Sequence, residues 1–266
     1  MHLTVLVENT APTYGTENSY VAEPGLSFYL EDGDEKILFD TGRTDVVIRN
    51  AEMMGIDLSA VTKLVLSHGH DDHAGGIPHL PPMNAELIAH PKALLPKQEH
   101  GRNSGCPLSE NELALRFQMV PSSTPQKISP HLTFLGEIPE LNDFEPRKAF
   151  GTYEENGELV PDYVFDDSAL VYETEDAIYV ITGCSHSGIC NIVAYAQNLF
   201  GKRVAGIIGG FHLRYPDERV EKTIQFLKSL GDVELRPCHC TSFAVRAAMH
   251  QEIPVIETAV GTKIDW

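Results

Sequence analysis

His68, His70, Asp72 and His73, four side chains spaced as metal ligands, fall within six positions in His68-Gly69-His70-Asp71-Asp72-His73. They follow residues 61–66, a short apolar run of the kind that forms a strand buried on both faces. If the chain leaves that strand extended, His68 and His70 point to the same side, because side chains alternate with period two. Two imidazoles so placed can chelate one ion, and Gly69 adds no bulk between them. The chain must turn before Gly75-Gly76, which sends Asp72 and His73 to a neighbouring position suited to a second ion. A hydrolytic metal needs neutral imidazoles and carboxylates and one position open to water. Asp72 is therefore expected to hold metal and water together and to take the water's proton.

Residues of the same kind recur where other apolar strands end. Cys184 and His186 follow a strand at 177–181, His212 one at 204–208 and His239 one at 233–236. Sites in α/β folds assemble at the C-terminal ends of strands, so these residues are expected in one cluster with the histidine run. Alternation puts Cys184 and His186 on one side. His186 reads as a ligand, and Cys184 as either a zinc-binding thiolate or a buried structural thiol. The same alternation groups Cys238 with Cys240 on the packing side and turns His239 toward the metal; the spacing is not that of a Cys-x-x-Cys knuckle. His212 and His239 compete for the last ligand position. His239 is preferred, which leaves His212 for hydrogen bonding or proton transfer. Asp40, after a strand at 35–39, either turns the chain or accepts the free ring N–H of a liganding histidine. The other histidines carry no spacing signal.

The elements that must position these residues alternate strand and helix, which predicts an α/β fold in one domain over 1–266. Strands are expected at 4–8, 26–31 and 35–39, with a hairpin turn at Asp32-Gly33-Asp34. A helix at 45–54 ends at Gly55 and another at 189–200 ends at Gly201. Strands at 86–89 and 168–174, helices at 217–229 and 242–250, and a last strand at 255–257 complete the pattern. Residues 37–42 echo residues 179–184, which suggests two similar α/β halves. Residues 90–163 hold nine of the 17 prolines, and only 111–119 hints at a helix. Their spread of aromatic residues predicts an ordered insertion, a lid or substrate wall. Its cations Lys92, Lys97, Arg102 and Arg147 are candidates for gripping an anion, Arg102 and Arg147 above all.

Composition narrows the partners. The 266 residues carry a net charge of −18, which argues against a nucleic-acid partner or an anionic membrane and leaves room for a small anionic substrate. No apolar run reaches the length of a membrane span, and the N-terminal residues do not read as a secretory signal. Five cysteines, an odd number, suggest thiols in a reducing compartment, the cytoplasm.

The chain resembles the metallo-β-lactamase superfamily through His68, His70, Asp72 and His73, with Asp40 upstream and Cys184, His186, His212 and His239 at later strand ends. The resemblance implies a four-layer αββα sandwich with a one- or two-metal centre at its edge, most simply zinc, with manganese or iron as alternatives. Gly136-Glu137-Ile138-Pro139, Asp166-Asp167-Ser168, the run from Gly183 to Val193, Gly209-Gly210-Phe211-His212 and Pro237-Cys238-His239-Cys240-Thr241 resemble a subgroup named for dihydropterin-ribofuranosylaminobenzene-phosphate synthase. The separate Gly-His-Thr-x-Gly segment of the wider superfamily is absent, which argues against β-lactam hydrolysis. Three functions follow as expectations: a metal-dependent hydrolase of an ester or phosphoester, a pterin-type transferase, or a non-catalytic metal-binding protein. Replacing His68 and His70 together by Ala is expected to remove tight metal binding from a folded protein; full metal content in that variant, measured by elemental analysis, would refute the chelate.

Overall fold

The computed structural model describes residues 1–12, 20–155 and 157–266. Along the chain come β1 (His2–Val7), β2 (Ser27–Asp32), β3 (Glu35–Phe39), α1 (Val46–Met54), β4 (Lys63–Val65), α2 (Asp71–Ala74) and β5 (Glu86–Ala89). The middle stretch adds β6 (Lys97–Glu99), β7 (Arg102–Asn103), α3 (Glu110–Ala114), β8 (Gln118–Pro121), β9 (Gln126–Lys127), β10 (Leu132–Phe134), β11 (Thr152–Glu155) and β12 (Glu158–Pro161). Then follow β13 (Ala169–Glu173), β14 (Ala177–Thr182), α4 (Ile189–Phe200), β15 (Arg203–Gly210), α5 (Glu218–Ser229), β16 (Glu234–Cys238), α6 (Phe243–Glu252) and β17 (Lys263–Asp265). Among the described residues no helix is long and apolar enough to cross a membrane.

The chain forms two compact units. The first comprises Met1–Ser123, Ala149–Asp166 and Ala259–Trp266. Its main sheet has the order β17-β1-β2-β3-β4-β5-β8, antiparallel from β17 to β3 and parallel from β3 to β8. The β2–β3 hairpin turns at Gly33, whose φ of 64° suits glycine. On one face α1 buries Val46, Val47 and Ala51 in a cluster with Leu6, Leu38 and Leu64. Each such side chain contributes about 1.5–3 kcal/mol of transfer free energy. Left-handed Gly55 stops α1.

The second unit comprises Thr124–Lys148 and Asp167–Thr258. Its sheet has the order β16-β15-β14-β13-β10-β9, with β14, β15 and β16 parallel. Helix α4 buries Ile189, Ile192, Val193 and Ala196 in a cluster that also takes Val220, Ile224 and Leu227 of α5 and Val245 and Met249 of α6. The register sets Ile181 beside Ile208 and Gly210 beside Cys238. The three parallel strands therefore deliver their following residues to the same edge of this sheet.

Some elements differ from the sequence reading. The expected strand at 255–257 is a single bridge from Val255 to Leu235; Pro254, lacking an N–H, keeps it from extending inward. The last strand is β17, whose one buried residue, Ile264, leaves too short a pattern to read. The helix hinted at 111–119 lasts only through α3, held by a Ser109–Glu112 capping box, before β8 joins the main sheet. Residues 90–163 divide among three sheets: β8 belongs to the first unit's main sheet and β9 and β10 to the second unit's. Strands β6, β7, β11 and β12 form a four-stranded sheet of their own in the first unit.

Within that small sheet lies a further correction. Lys97 does not reach out for a substrate. It is buried, and its ammonium donates to Asp162 at 2.7 Å and to Asp166 at 2.8 Å. Burial alone would raise the Asp166 carboxyl, but the Lys97 charge overrides it and holds the group below the usual carboxylate range. Burial pulls Lys97 down, and the two carboxylates more than reverse this. A depressed carboxylate adds stability above its ordinary pKa and loses it as pH falls through the folded value; a raised lysine adds stability below its ordinary pKa and loses it as pH rises through the folded value. The network is thus intact across the neutral range. Lys97→Met strands two buried carboxylates and is expected to cost about 3–5 kcal/mol at pH 7. Denaturant unfolding should show that deficit shrinking on acidification, as pH falls through the lowered Asp166 value; a variant as stable as the parent at pH 7 would contradict the assignment.

Candidate metal centre

In the first unit β3 and β4 end level, Phe39 beside Val65. Asp40 leaves β3 in the left-handed conformation, φ 59°. Its buried carboxylate accepts the Ser67 N–H at 2.7 Å on Oδ1 and the Ser67 hydroxyl at 2.7 Å on Oδ2. Oδ2 also lies 2.7 Å from His73 Nδ1. A carboxylate here accepts, so His73 donates from Nδ1 and presents Nε2 as a lone pair, which lies 3.8 Å from Asp72 Oδ1. Asp40 thus turns the chain and orients a histidine.

The chain stays extended through His70, which bridges to Gly105, and enters α2 at Asp71. Donor atoms of His68, His70 and Asp72 lie within 4.8 Å of one another. The His68 ring stands edge-on to His70 at 4.6 Å and 4.2 Å from His73, and the Ser67 hydroxyl lies 2.9 Å from His68 Nδ1. Burial, helped by the Lys97 charge, pushes His70 down to about 4, so its imidazole is neutral at pH 7. Between the two histidines, the Gly69 N–H donates to Asp166 Oδ2 at 2.8 Å. A Cβ on Gly69 would stand 1.9 Å from the Ala93 carbonyl oxygen, so no other residue fits there. Two imidazoles and a carboxylate converging in this way suit a divalent ion of the zinc, manganese or iron type.

Of the other expected ligands, Cys184, His186 and His239 belong to the second unit. They and His212 follow the ends of β14, β15 and β16. Ser185, His212 and His239 all have positive φ, at 59°, 49° and 51°. The left-handed turn at His239 breaks the alternation on which the sequence reading relied. Cys238 is buried at the end of β16, and Cys240, instead of facing only packing, reaches Cys184 and His212, the donor atoms of all three lying within 4.8 Å. The His212 N–H donates to Cys240 Sγ at 3.3 Å. Burial raises the Cys240 thiol, but its contacts with Cys184, His239 and His212 bring it well below its ordinary range. His186, half-buried, packs its ring 4.3 Å from that of His212.

Cys240 is the residue that the sequence reading missed. The available signal was Gly209-Gly210 ahead of Phe211-His212, since a Cβ on Gly210 would stand 2.5 Å from Cys240 Sγ. The two arginines fall in different places. Arg102 is exposed and lines a cleft of about 500 Å³ with Arg43, Asp71, His100 and Ser104 in the first unit. Arg147, in the second unit, donates to the Ile138 carbonyl oxygen at 2.8 Å, and its charge acts on buried Asp167.

Comparison with known proteins agrees with this geometry. The description "Metallo-beta-lactamase superfamily" matches residues 20–234. The chain is 33% identical over 268 residues, 93% of its length and 91% of the relative's, to 7,8-dihydropterin-6-methyl-4-(beta-D-ribofuranosyl)-aminobenzene-5'-phosphate synthase of Methanocaldococcus jannaschii. Among solved structures it is similar to Tm1679, described as a metal-dependent hydrolase of the beta-lactamase superfamily, with TM-score 0.86, 30% identity and coverage of 100% of this chain and 99% of that one. Zn(2+)-bound PqqB from Methylobacterium extorquens shares the fold at TM-score 0.55 and 12% identity, covering 100% of both chains. The strand-end histidines, the metallo-β-lactamase fold and the matched span together show that the chain belongs to the metallo-β-lactamase superfamily.

Proposed function

We propose that the chain is a metal-dependent hydrolase of an ester or phosphoester in a small anionic substrate, using one or two ions of zinc or, failing that, manganese or iron. The observation that carries this reading is the convergence of His68, His70 and Asp72 beside a histidine whose ring Asp40 orients. When bound, a divalent ion there supplies Lewis-acid polarisation of a substrate oxygen and acidifies water. His70 binds as a neutral imidazole, so no proton must first be displaced from it at pH 7. Asp72, half-buried, is the group positioned to orient the attacking water and receive its proton. His73 keeps its Nε2 lone pair directed by the Asp40 contact. In the second unit, His186 and His239 are proposed as metal ligands. The cleft with Arg43 and Arg102 offers cationic charge to an anionic substrate; Arg43 already pairs with Asp71 at 3.0 Å, which leaves Arg102 as the better grip.

A second reading is a pterin-type transferase, favoured by the printed activity of the 33% identical relative. Metal-loaded protein assayed in parallel on chromogenic phosphoesters and carboxyl esters, and for coupling of a dihydropterin diphosphate to an aromatic amine, separates the two. Metal-dependent release of alcohol or phosphate supports the hydrolase; coupling alone supports the transferase; bound metal with neither refutes both. Asp72→Asn should lower kcat by about 100-fold or more, the typical weight of a general base. Arg102→Ala should raise KM for an anionic substrate several-fold with metal content unchanged, whereas the Arg147→Ala effect should appear in thermal stability and leave KM unaltered.

A further inference from the structure

The second unit carries a donor set built on Cys240, a residue that neither the hydrolase reading nor the transferase reading uses. Cys184, His212 and Cys240 come from the loops after β14, β15 and β16, and their donor atoms lie within 4.8 Å of one another. Each comes from a different strand end, so the parallel register of the sheet brings them together. Bonds of about 2.3 Å to sulfur and about 2.0 Å to nitrogen in a tetrahedron put donor atoms about 3.5–3.8 Å apart. The set needs to close by about 1 Å at most to meet that geometry.

The surroundings hold this arrangement in place. Gly210 N–H donates to the Gly183 carbonyl at 2.8 Å, and the Ser185 and Thr182 hydroxyls both donate to the Gly210 carbonyl, at 2.6 and 3.1 Å. The Phe211 N–H donates to Thr241 Oγ1 at 2.9 Å. These bonds tie all three loops to one another. Gly210 lacks the Cβ that would displace the Cys240 sulfur, and the His212 N–H points at that sulfur from 3.3 Å. A backbone donor favours a sulfur carrying negative charge, as a metal-bound thiolate does.

We propose that Cys184, Cys240 and His212 form a soft-ligand site for one thiophilic divalent ion such as zinc or ferrous iron, with Cys240 as one of its two thiolate ligands. Binding releases two thiol protons to solvent, and the two thiolates balance the two positive charges of the ion. The neutral His212 imidazole is the third ligand, and a tetrahedral ion keeps a fourth position for water or a substrate atom. Two thiolates bias the site toward soft ions, whereas sets of imidazole and carboxylate alone also suit manganese.

Cobalt(II) titration of the reduced, metal-free full-length protein tests the proposal, because thiolate-to-cobalt charge transfer gives a near-ultraviolet band that imidazole and carboxylate ligands lack. The expected result is a saturable band that falls by about half in Cys240→Ala and in Cys184→Ala, vanishes in the double variant, and stays intact in Cys106→Ala. The His68→Ala/His70→Ala variant, although expected to lose tight metal binding, should still show the band at saturating cobalt, so failure of the hydrolase reading and failure of this proposal remain distinguishable. Absence of the band in the parent protein, or a band undiminished in Cys240→Ala, overturns the site. Should the cysteine variants fail to fold, alkylation of the parent protein followed by peptide mass analysis decides: Cys240 protected by zinc and exposed by chelator supports the site, and equal labelling in both states overturns it.

Discussion

A fully buried carboxylate at the end of a strand is the constraint on which the first unit's site depends. Asp40 takes the Ser67 backbone N–H, the Ser67 hydroxyl and the His73 ring, all at 2.7 Å. Three donors around one carboxylate offset the several kcal/mol that burying it would otherwise cost. They also tie three pieces of chain together: the end of β3, the loop after β4, and α2. Removing the carboxylate would leave a buried histidine N–H and a buried serine seeking partners in the place where His68, His70 and Asp72 converge. The same logic continues outward. Lys97 and Asp166 sit under the loop, and Asp166 accepts the Gly69 N–H, so the backbone between His68 and His70 is held by a charge-assisted bond.

Backbone conformation follows from this demand. Asp40, Ser185, His212 and His239 all adopt left-handed φ, a conformation costing non-glycine residues about 1–2 kcal/mol. Such residues persist where the surrounding bonds over-determine them. Here they stand just beyond β3, β14, β15 and β16, where a chain leaving a parallel strand must turn sharply and still aim a functional side chain. The internal echo between 37–42 and 179–184 covers the Asp40 turn and stops one residue short of Ser185.

Periodic features of the fold were legible in the residues. The apolar strands, the glycine stops at Gly55 and Gly201 and the β2–β3 hairpin all follow local rules that need only a few neighbouring residues. So did the His68/His70 spacing, because the chain there is still extended and alternation still applies. The reading broke down where alternation stopped. At Cys238-His239-Cys240 a single left-handed residue redirects the chain, and no periodic rule anticipates which sulfur then points where. Lys97 was misread for a different reason. Its partners Asp162 and Asp166 lie 65 and 69 residues away, so only the tertiary pairing of β6 with β11 shows that its charge is spent inside. Strand β17 was lost because its partner β1 opens the chain, and three residues with one buried side chain leave no pattern.

Sulfur and histidine chemistry are divided unevenly between the two units. The first unit's converging donors are imidazoles and a carboxylate, held by buried charges; the second unit's are two thiols and an imidazole, held by backbone amides and hydroxyls. Charge explains the contrast. An imidazole binds a metal while neutral, so a buried carboxylate can sit behind it and strengthen the ligand through its far N–H. A thiol must lose its proton to bind, and a carboxylate behind it would oppose that loss by like-charge repulsion. Neutral donors such as the His212 N–H favour the thiolate instead. The strand ends of the two units therefore carry the supporting groups that their own ligands require, carboxylates beneath histidines and amide N–H groups beside cysteine.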